Sequence, residues 1–252
     1  MIIKSADSES GHWYELDGTP AYTQTMKDGR IRNTTLADAR KKNLVPSVTT
    51  ILNVAAKHGL NTWLQQQVLL AALTLPRLDG EPEAAWLERV MSDSKSTGRE
   101  AADRGTRMHG VLERFFKSET VEVWPIYCIE VKRALDAHFG EQFWQCEKSF
   151  AHEDGFGGKV DMFVPPVGDS PGIVVDFKTK EGSLDKVTPF HEQIMQLAAY
   201  DSGLGMDGAR CANVYLNEVG EVKIFEYTNL ELGEAYDCFF HLLRFYRIKN
   251  KI

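Results

Sequence analysis

Two predicted strands separated by a break rich in proline and glycine constrain the fold of this chain more than any other feature. In the first, Val160, Met162 and Val164 alternate with other residues, and in the second, residues 173–175 form a β-branched run. The segment 165–172 between them holds three prolines and two glycines, so it cannot continue a strand. The sequence therefore predicts a hairpin with a long loop.

The predicted hairpin carries two carboxylates and an amine. Because strand side chains alternate between faces, Asp176 and Lys178 point to one side and Phe177 to the other, and Asp161 adds a carboxylate from the preceding strand. Mg²⁺ takes oxygen ligands and often only a few carboxylates, which leaves positions for water and phosphate. The lysine can orient or deprotonate an attacking water or stabilise an oxyanion. The alternative is a salt bridge on an edge strand, the usual meaning of an isolated D-x-K triplet.

A helix predicted at 99–116 carries His109 and Glu113, four residues apart and therefore neighbours on one side. Both lie at the rim of the apolar face, where a side chain can reach a site that borders the core. The alternative for His109 is a structural histidine without a functional role.

A helix predicted at 188–204 carries Gln193, Gln196 and Tyr200 on one side, opposite its apolar contacts. Glutamine and tyrosine can donate hydrogen bonds to phosphate oxygens without adding charge. Taken alone, the pattern is also that of an ordinary amphipathic helix.

The 252 residues, 43% hydrophobic and 26% charged, are typical of a globular protein with one large or two small domains. No apolar stretch is long enough for a membrane span, and the first seven residues do not resemble a signal peptide. The four cysteines are far apart and contain no C-x-x-C pair, which predicts reduced thiols, no iron–sulfur cluster and a cytoplasmic location.

The net charge of −7 is unevenly distributed. Residues 27–42 hold six Lys and Arg against two Asp and Glu, a local +4, and residues 244–251 hold four against none, another +4. Residues 43–243 hold 18 against 30, or −12. Basic ends on an acidic body fit a polyanion bound at selected places, although charged ends are commonly only solvated.

The order of predicted elements indicates an α/β fold: helices, a central mixed sheet, one helix across it and two more strands. An N-terminal β element at 11–32 precedes them. The predicted helices are 47–70 (with Ser47 as N-cap and a break at Gly59), 82–91, 99–116, 123–139, 188–204 and one from about 230 into the tail. The predicted strands are 143–150, 158–164, 172–179, 209–216 and 221–227.

Four motifs resemble those of the PD-(D/E)XK nucleases in order and spacing. They are G-T-x-x-H with a glutamate four residues on, G-K-V-D, V-V-D-F-K-T and Q-L-A-A-Y, between Gly105 and Tyr200. The resemblance is greatest to the RecB-type branch, which includes bacteriophage exonucleases and a mitochondrial genome-maintenance exonuclease. Segments 17–21 and 45–52 also resemble the leading part of phage-type members.

The resemblance implies a nuclease core with a central mixed sheet flanked by helices, at 96–252, and an N-terminal β-hairpin and helical part at 1–95 that shapes a substrate channel. It also implies a role for each matched residue. His109, Asp161, Asp176 and the carbonyl of Phe177 would bind one or two Mg²⁺ or Mn²⁺ ions. Glu113 would be a catalytic carboxylate that binds the metal through water, and Asp161, Asp176 and Lys178 would be catalytic as well. Gln196 and Tyr200, with Gln193 beside them, would contact the substrate.

The sequence departs from the family pattern at two points. Val160 occupies the position of the proline in the family name, and the four cysteines that bind an iron–sulfur cluster in some relatives are missing. The function expected from the resemblance is metal-dependent exonucleolytic hydrolysis of DNA from a free end, single-stranded or duplex. A phage origin, a role in recombination or genome processing, and a phage single-strand annealing or binding protein as partner are also expected. The alternatives are an endonuclease of the same fold and a catalytically silent DNA-binding recombination partner.

Overall fold

A computed structural model describes residues 11–55, 57–120 and 123–252 of the chain. These residues form two compact units. The first contains the described residues up to Val54 together with Val111–Ile252, and the second is Ala55–Gly110. The predicted substrate channel of residues 1–95 stays a prediction.

The N-terminal part of the first unit consists of short elements. They are β1 (Trp13–Tyr14), β2 (Thr23–Thr25), β3 (Ile31–Asn33), α1 (Leu36–Lys42), β4 (Val45–Pro46) and α2 (Val48–Leu52). The predicted β element is present, but β1 pairs with β4, and only β2 and β3 form a hairpin. Ser47 caps α2 as predicted by accepting from the Thr50 amide at 3.0 Å.

Helix α1 is absent from the sequence-based prediction. Its N-cap, Thr35, forms a capping box with Asp38, and Asn43 ends the helix in the left-handed region with φ 56°. Both signals are local, but the helix has only seven residues and one buried side chain, Ala39, so it shows no apolar periodicity.

The second unit contains α3 (His58–Thr74), α4 (Glu83–Ser94) and the first part of α5 (Ser96–Phe116), whose last residues belong to the first unit. Arg89 forms an ion pair of 2.9 Å with Glu81, and the indole of Trp86 donates to the Leu75 carbonyl at 2.7 Å. These contacts fix the connection between α3 and α4.

The rest of the first unit contains a five-stranded sheet and three helices. Its elements are α6 (Ile126–Phe139), β5 (Gln145–His152), β6 (Phe156–Val164), β7 (Ile173–Thr179), α7 (His191–Gly203), β8 (Arg210–Leu216), β9 (Val222–Tyr227) and α8 (Asn229–Asn250). The strands follow the order β5-β6-β7-β8-β9, and only β7 and β8 are parallel. The mixed α/β prediction is confirmed at this level, including the hairpin of β6 and β7.

The core lies where α2, α7 and α8 pack with the sheet. Its fully buried members include Val48, Ile51, Leu197, Phe239 and Leu243. Close packing of α7 on β5 and β6 requires glycine at Gly158, because a Cβ there would lie 2.8 Å from the Phe150 ring and 2.9 Å from the Tyr200 ring. In the part of the chain that the structure describes, no helix is long and apolar enough to cross a membrane.

Candidate active site

The carboxylate of Asp161 lies where β6 and β7 stop pairing. The antiparallel ladder runs from Val164 opposite Ile173 to Met162 opposite Val175, and it ends there. One residue further, Asp161 Oδ2 accepts a hydrogen bond of 2.9 Å from the backbone amide of Phe177. A side chain thus satisfies a β7 amide beyond the end of the ladder, and this bond fixes the carboxylate beside the backbone of Asp176.

Asp176 is a buried carboxylate on the central strand of the sheet, with 2% of the residue exposed. Its Oδ2 lies 2.6 Å from Lys178 Nζ and accepts from Asn213 Nδ2 at 3.0 Å. The Tyr227 hydroxyl donates in turn to Asn213 Oδ1 at 2.9 Å. The D-x-K ion pair is therefore present, but the edge-strand alternative is wrong, because β7 has a paired strand on each side.

Lys178 is held from two directions. Besides its contact with Asp176, its Nζ donates to Gln196 Oε1 at 3.0 Å, and Gln196 Nε2 donates to the Tyr200 hydroxyl at 2.8 Å. We call Asp176, Lys178, Gln196 and Tyr200 the polar chain. Helix α7, which connects the parallel strands β7 and β8, thus places Gln196 against the lysine and Tyr200 behind Gln196.

The hydroxyl of Tyr200 is buried beside both carboxylates. Burial raises the pKa of Tyr200 well above its ordinary value, and the negative charges of Asp176 and Asp161 raise that pKa further. Tyr200 therefore stays a neutral phenol at physiological pH. Asp161 and Asp176 are therefore both within electrostatic reach of this hydroxyl group.

Gln193 lies outside the polar chain. Its Oε1 accepts from the Tyr215 hydroxyl at 2.5 Å and from the Phe190 amide at 2.8 Å. The hydrogen bonds of Gln193 thus connect the first turn of α7 to Tyr215 on β8. Substrate contact by Gln193, Gln196 or Tyr200 stays a prediction.

Glu113, on the part of α5 that belongs to the first unit, lies near the same region of the sheet. It pairs with Lys117 at 2.5 Å. Burial raises the pKa of the Cys146 thiol on β5 to about 11, and among the nearby charges Glu113 and Asp161 both act in the same direction. Both carboxylates are therefore within electrostatic reach of one thiol.

His109 belongs to the second unit, on α5. Its role as a metal ligand stays a prediction, and so does that of the Phe177 carbonyl. Among the described residues, no group of three or more His, Cys, Asp and Glu side chains is arranged to hold a metal ion. Two carboxylates from neighbouring strands nevertheless fit Mg²⁺, which is usually bound through one or two carboxylates with water and substrate phosphate completing its shell.

Sequence reasoning missed Asn213, Tyr215 and Tyr227. Asn213 contacts Asp176 and Tyr215 contacts Gln193, whereas Tyr227 reaches the site only through Asn213. Asn213 lies opposite Asp176 in the parallel register and is completely buried. A signal was available, because an asparagine inside the apolar run 211–216 must find hydrogen-bond partners when the strand is buried. Its partner, Asp176, could not be identified without the pairing register of β7 and β8.

No protein-family model matches the chain, and no curated protein matches it. Among solved structures, the chain is similar to the protein SSO0001, at 14% identity and a TM-score of 0.32, over 74% of this chain and 87% of that chain. It is also similar to an alkaline exonuclease (LHK-Exo) from Laribacter hongkongensis, at 12% identity and a TM-score of 0.36, over 76% of this chain and 94% of that chain. At these TM-scores neither likeness identifies an activity.

Proposed function

We propose that this protein is a Mg²⁺- or Mn²⁺-dependent deoxyribonuclease that hydrolyses phosphodiester bonds from a free DNA end. The observation that carries the proposal is the position of Lys178. Its ammonium group lies between Asp176 and Gln196 on the central strand, next to the strand that carries Asp161. A fixed cation beside two acidic groups suits a reaction in which negative charge develops on phosphate oxygens.

Asp161 and Asp176 would hold the divalent ion, one or two per site, with His109 and the Phe177 carbonyl as further proposed ligands. When bound, the ion would neutralise charge on the phosphate and lower the pKa of a coordinated water. Glu113 is proposed as a catalytic carboxylate that binds the metal through water. These assignments rest on the donor chemistry and on the motif resemblance.

The polar chain would prepare Lys178 for catalysis. Asp176 and Gln196 restrict the rotamers of a long, flexible side chain, so that less ordering is needed when substrate binds. The Lys178 side chain is 22% exposed, whereas that of Asp176 is 3% exposed, so solvent reaches the lysine more than the carboxylate. We propose that Lys178 either orients the attacking water or stabilises the phosphate oxyanion.

A phage origin, a role in recombination or genome processing and an annealing or single-strand-binding partner belong to this proposal and rest on the motif resemblance alone. So does a cytoplasmic location.

The proposal is tested with end-labelled linear DNA and covalently closed circular DNA, single-stranded and duplex, in Mg²⁺, Mn²⁺ and EDTA. We expect degradation of linear DNA in either metal and none in EDTA. Rapid cutting of closed circles would replace the exonuclease with an endonuclease. Binding of DNA without cutting under any of these metals would leave a silent binding protein.

A further inference from the structure

The two basic segments of the chain, 27–42 and 244–251, meet in the first unit although about 200 residues separate them in sequence. Arg40, in the last turn of α1, donates through Nε and Nη2 to the carbonyl oxygen of Asn250 at the end of α8, at 2.9 and 2.6 Å. A buried partner on the other segment thus fixes one guanidinium group.

A cavity of about 270 Å³ opens at this meeting point. It is lined by Arg40, Arg247 and Lys251, and also by Ala39, Asn43, Leu44, Val45, Pro46, Gly155 and Ile252. No lining side chain is acidic. The lining side chains therefore carry three positive charges and no negative charge.

Arg247 is also held in a fixed orientation. Its Nη1 donates to the Asp154 carbonyl at 2.6 Å, and its Nε donates to an Ile252 oxygen at 3.3 Å. Gly155 permits this approach, because it adopts φ +87° and because a Cβ at this position would lie 2.9 Å from Arg247 Nη1. Backbone oxygens therefore position both arginines before any ligand arrives.

Each of the three cations keeps donor capacity for a ligand. Within residues 11–55, 57–120 and 123–252, no protein acceptor bonds to Arg40 Nη1, Arg247 Nη2 or Lys251 Nζ. Converging N–H donors with excess positive charge and no acidic side chain are the chemistry that recognises a phosphate oxyanion.

We propose that this cavity binds a phosphate group of a nucleic acid backbone, at a site separate from the candidate active site. Gly155 directly precedes β6, and Asp161 lies six residues further on, which places the two sites roughly 20 Å apart along the strand. Arg30 and Arg32 are paired with Asp28 and Asp38, but Lys41 in the last turn of α1 and Lys249 in the last turn of α8 are further exposed cations on the two helices that meet at the cavity. Additional cations beside the cavity favour a polyanion over an isolated phosphate. The proposal does not depend on hydrolysis by the candidate active site.

The test compares Lys251→Glu with Lys249→Glu. Both substitutions change the net charge by the same amount and lie two residues apart, but only Lys251 lines the cavity. Binding of a fluorescent oligodeoxynucleotide is measured in EDTA over a series of salt concentrations, so cleavage plays no part. Inorganic phosphate and a nucleoside monophosphate are titrated separately by calorimetry.

We expect Lys251→Glu to weaken oligonucleotide binding by about tenfold or more, the factor of a charge-assisted hydrogen bond, and Lys249→Glu by much less. The slope of log affinity against log salt should also fall by about 1 for the lost contact. Loss of phosphate or mononucleotide binding in Lys251→Glu, with unchanged oligonucleotide binding, would support the phosphate site but assign it to a free ligand. Equal losses in both variants, or no binding of any of these probes by the wild type, would overturn the proposal.

Discussion

Two buried aspartates of the first unit satisfy their carboxylates in different ways. Asp201, near the end of α7, accepts from the backbone amides of Gly208 and Ala209 at 2.8 and 3.1 Å. Asp176 accepts from the side chains of Lys178 and Asn213. Both residues are more than nine-tenths buried, and among the described residues an ion pair is formed by Asp176 but not by Asp201.

The difference separates a structural carboxylate from a candidate functional one. Backbone amides are fixed by the fold, so the hydrogen bonds of Asp201 hold the segment 208–209 near the end of α7. These amides are not available to bind a substrate in place of Asp201. The Lys178 side chain is 22% exposed, so a ligand can reach it where it stands while Asn213 also satisfies Asp176. The predictions below test whether activity follows Asp176 and its partners while stability follows Asp201.

The largest expected effect is on turnover. Lys178→Ala should lower the cleavage rate by about a hundred- to thousandfold, the effect of removing one preorganised charge from a transition state. Lys186→Ala, which removes an exposed lysine of the same charge, is the matched control. Initial rates on labelled DNA, with circular dichroism as a check on the fold, measure the effect. Near-normal turnover in Lys178→Ala would make its ion pair purely structural.

Asp161→Asn should separate cleavage from binding. An asparagine keeps an oxygen acceptor for the Phe177 amide but removes the charge that a divalent ion needs. Cleavage should be lost, while DNA binding in EDTA should be unchanged or up to about fivefold tighter, because one repelling charge is gone. Any gain should shrink as salt is added. Retained cleavage would contradict a role for Asp161 at the metal site.

Asp201→Ala should affect stability instead of chemistry. It leaves the amides of Gly208 and Ala209 without their acceptor, at a cost of about 1–3 kcal/mol in the free energy of unfolding. Asp185→Ala, at an exposed aspartate whose backbone lies outside the left-handed region, should change this free energy by less than about 0.5 kcal/mol. Urea unfolding measures both, and specific activity below the transition should be normal. A stable but inactive Asp201→Ala protein would contradict the purely structural role of Asp201.

The smallest expected effect is on pH dependence. Burial raises the pKa of Asp201 in the folded state, so its contribution to stability is fully present below the unfolded pKa of about 3.9 and is lost as pH rises through the folded value. A hydrogen bond from Arg210 lowers the pKa of Glu226, so its contribution is present above the unfolded pKa of about 4.3 and is lost as pH falls.

Unfolding free energies of the wild type, Asp201→Asn and Glu226→Gln between pH 3 and 7 test these opposite signs. The advantage of the wild type over Asp201→Asn should decrease with pH, and its advantage over Glu226→Gln should increase. Two slopes of the same sign would show that one of the two carboxylates is placed differently.

Local pattern predicts much of the fold and part of the site. The β-branched run before Asp176 predicts a buried strand, and strand alternation alone places Lys178 on its side. Hydrophobic periodicity does not predict helix α1, because this helix buries a single residue and its ends are set by its caps. The hydrogen bond from Lys178 to Gln196 could not be predicted from sequence patterns either. It depends on how α7 packs on the sheet, which determines the turn of α7 that lies over the lysine.

The order of the chain through the site has a consequence for how the site forms. Asp176 and Lys178 on β7, Gln196 and Tyr200 on α7, and Asn213 on β8 all come from one continuous strand–helix–strand segment, 173–216. Parallel strands cannot pair until the crossover between them has closed, so the polar chain is assembled in the same folding step that joins β7 to β8. The amides that bond between β7 and β8 should therefore become protected from hydrogen exchange together during refolding, and recovery of activity should not precede their protection.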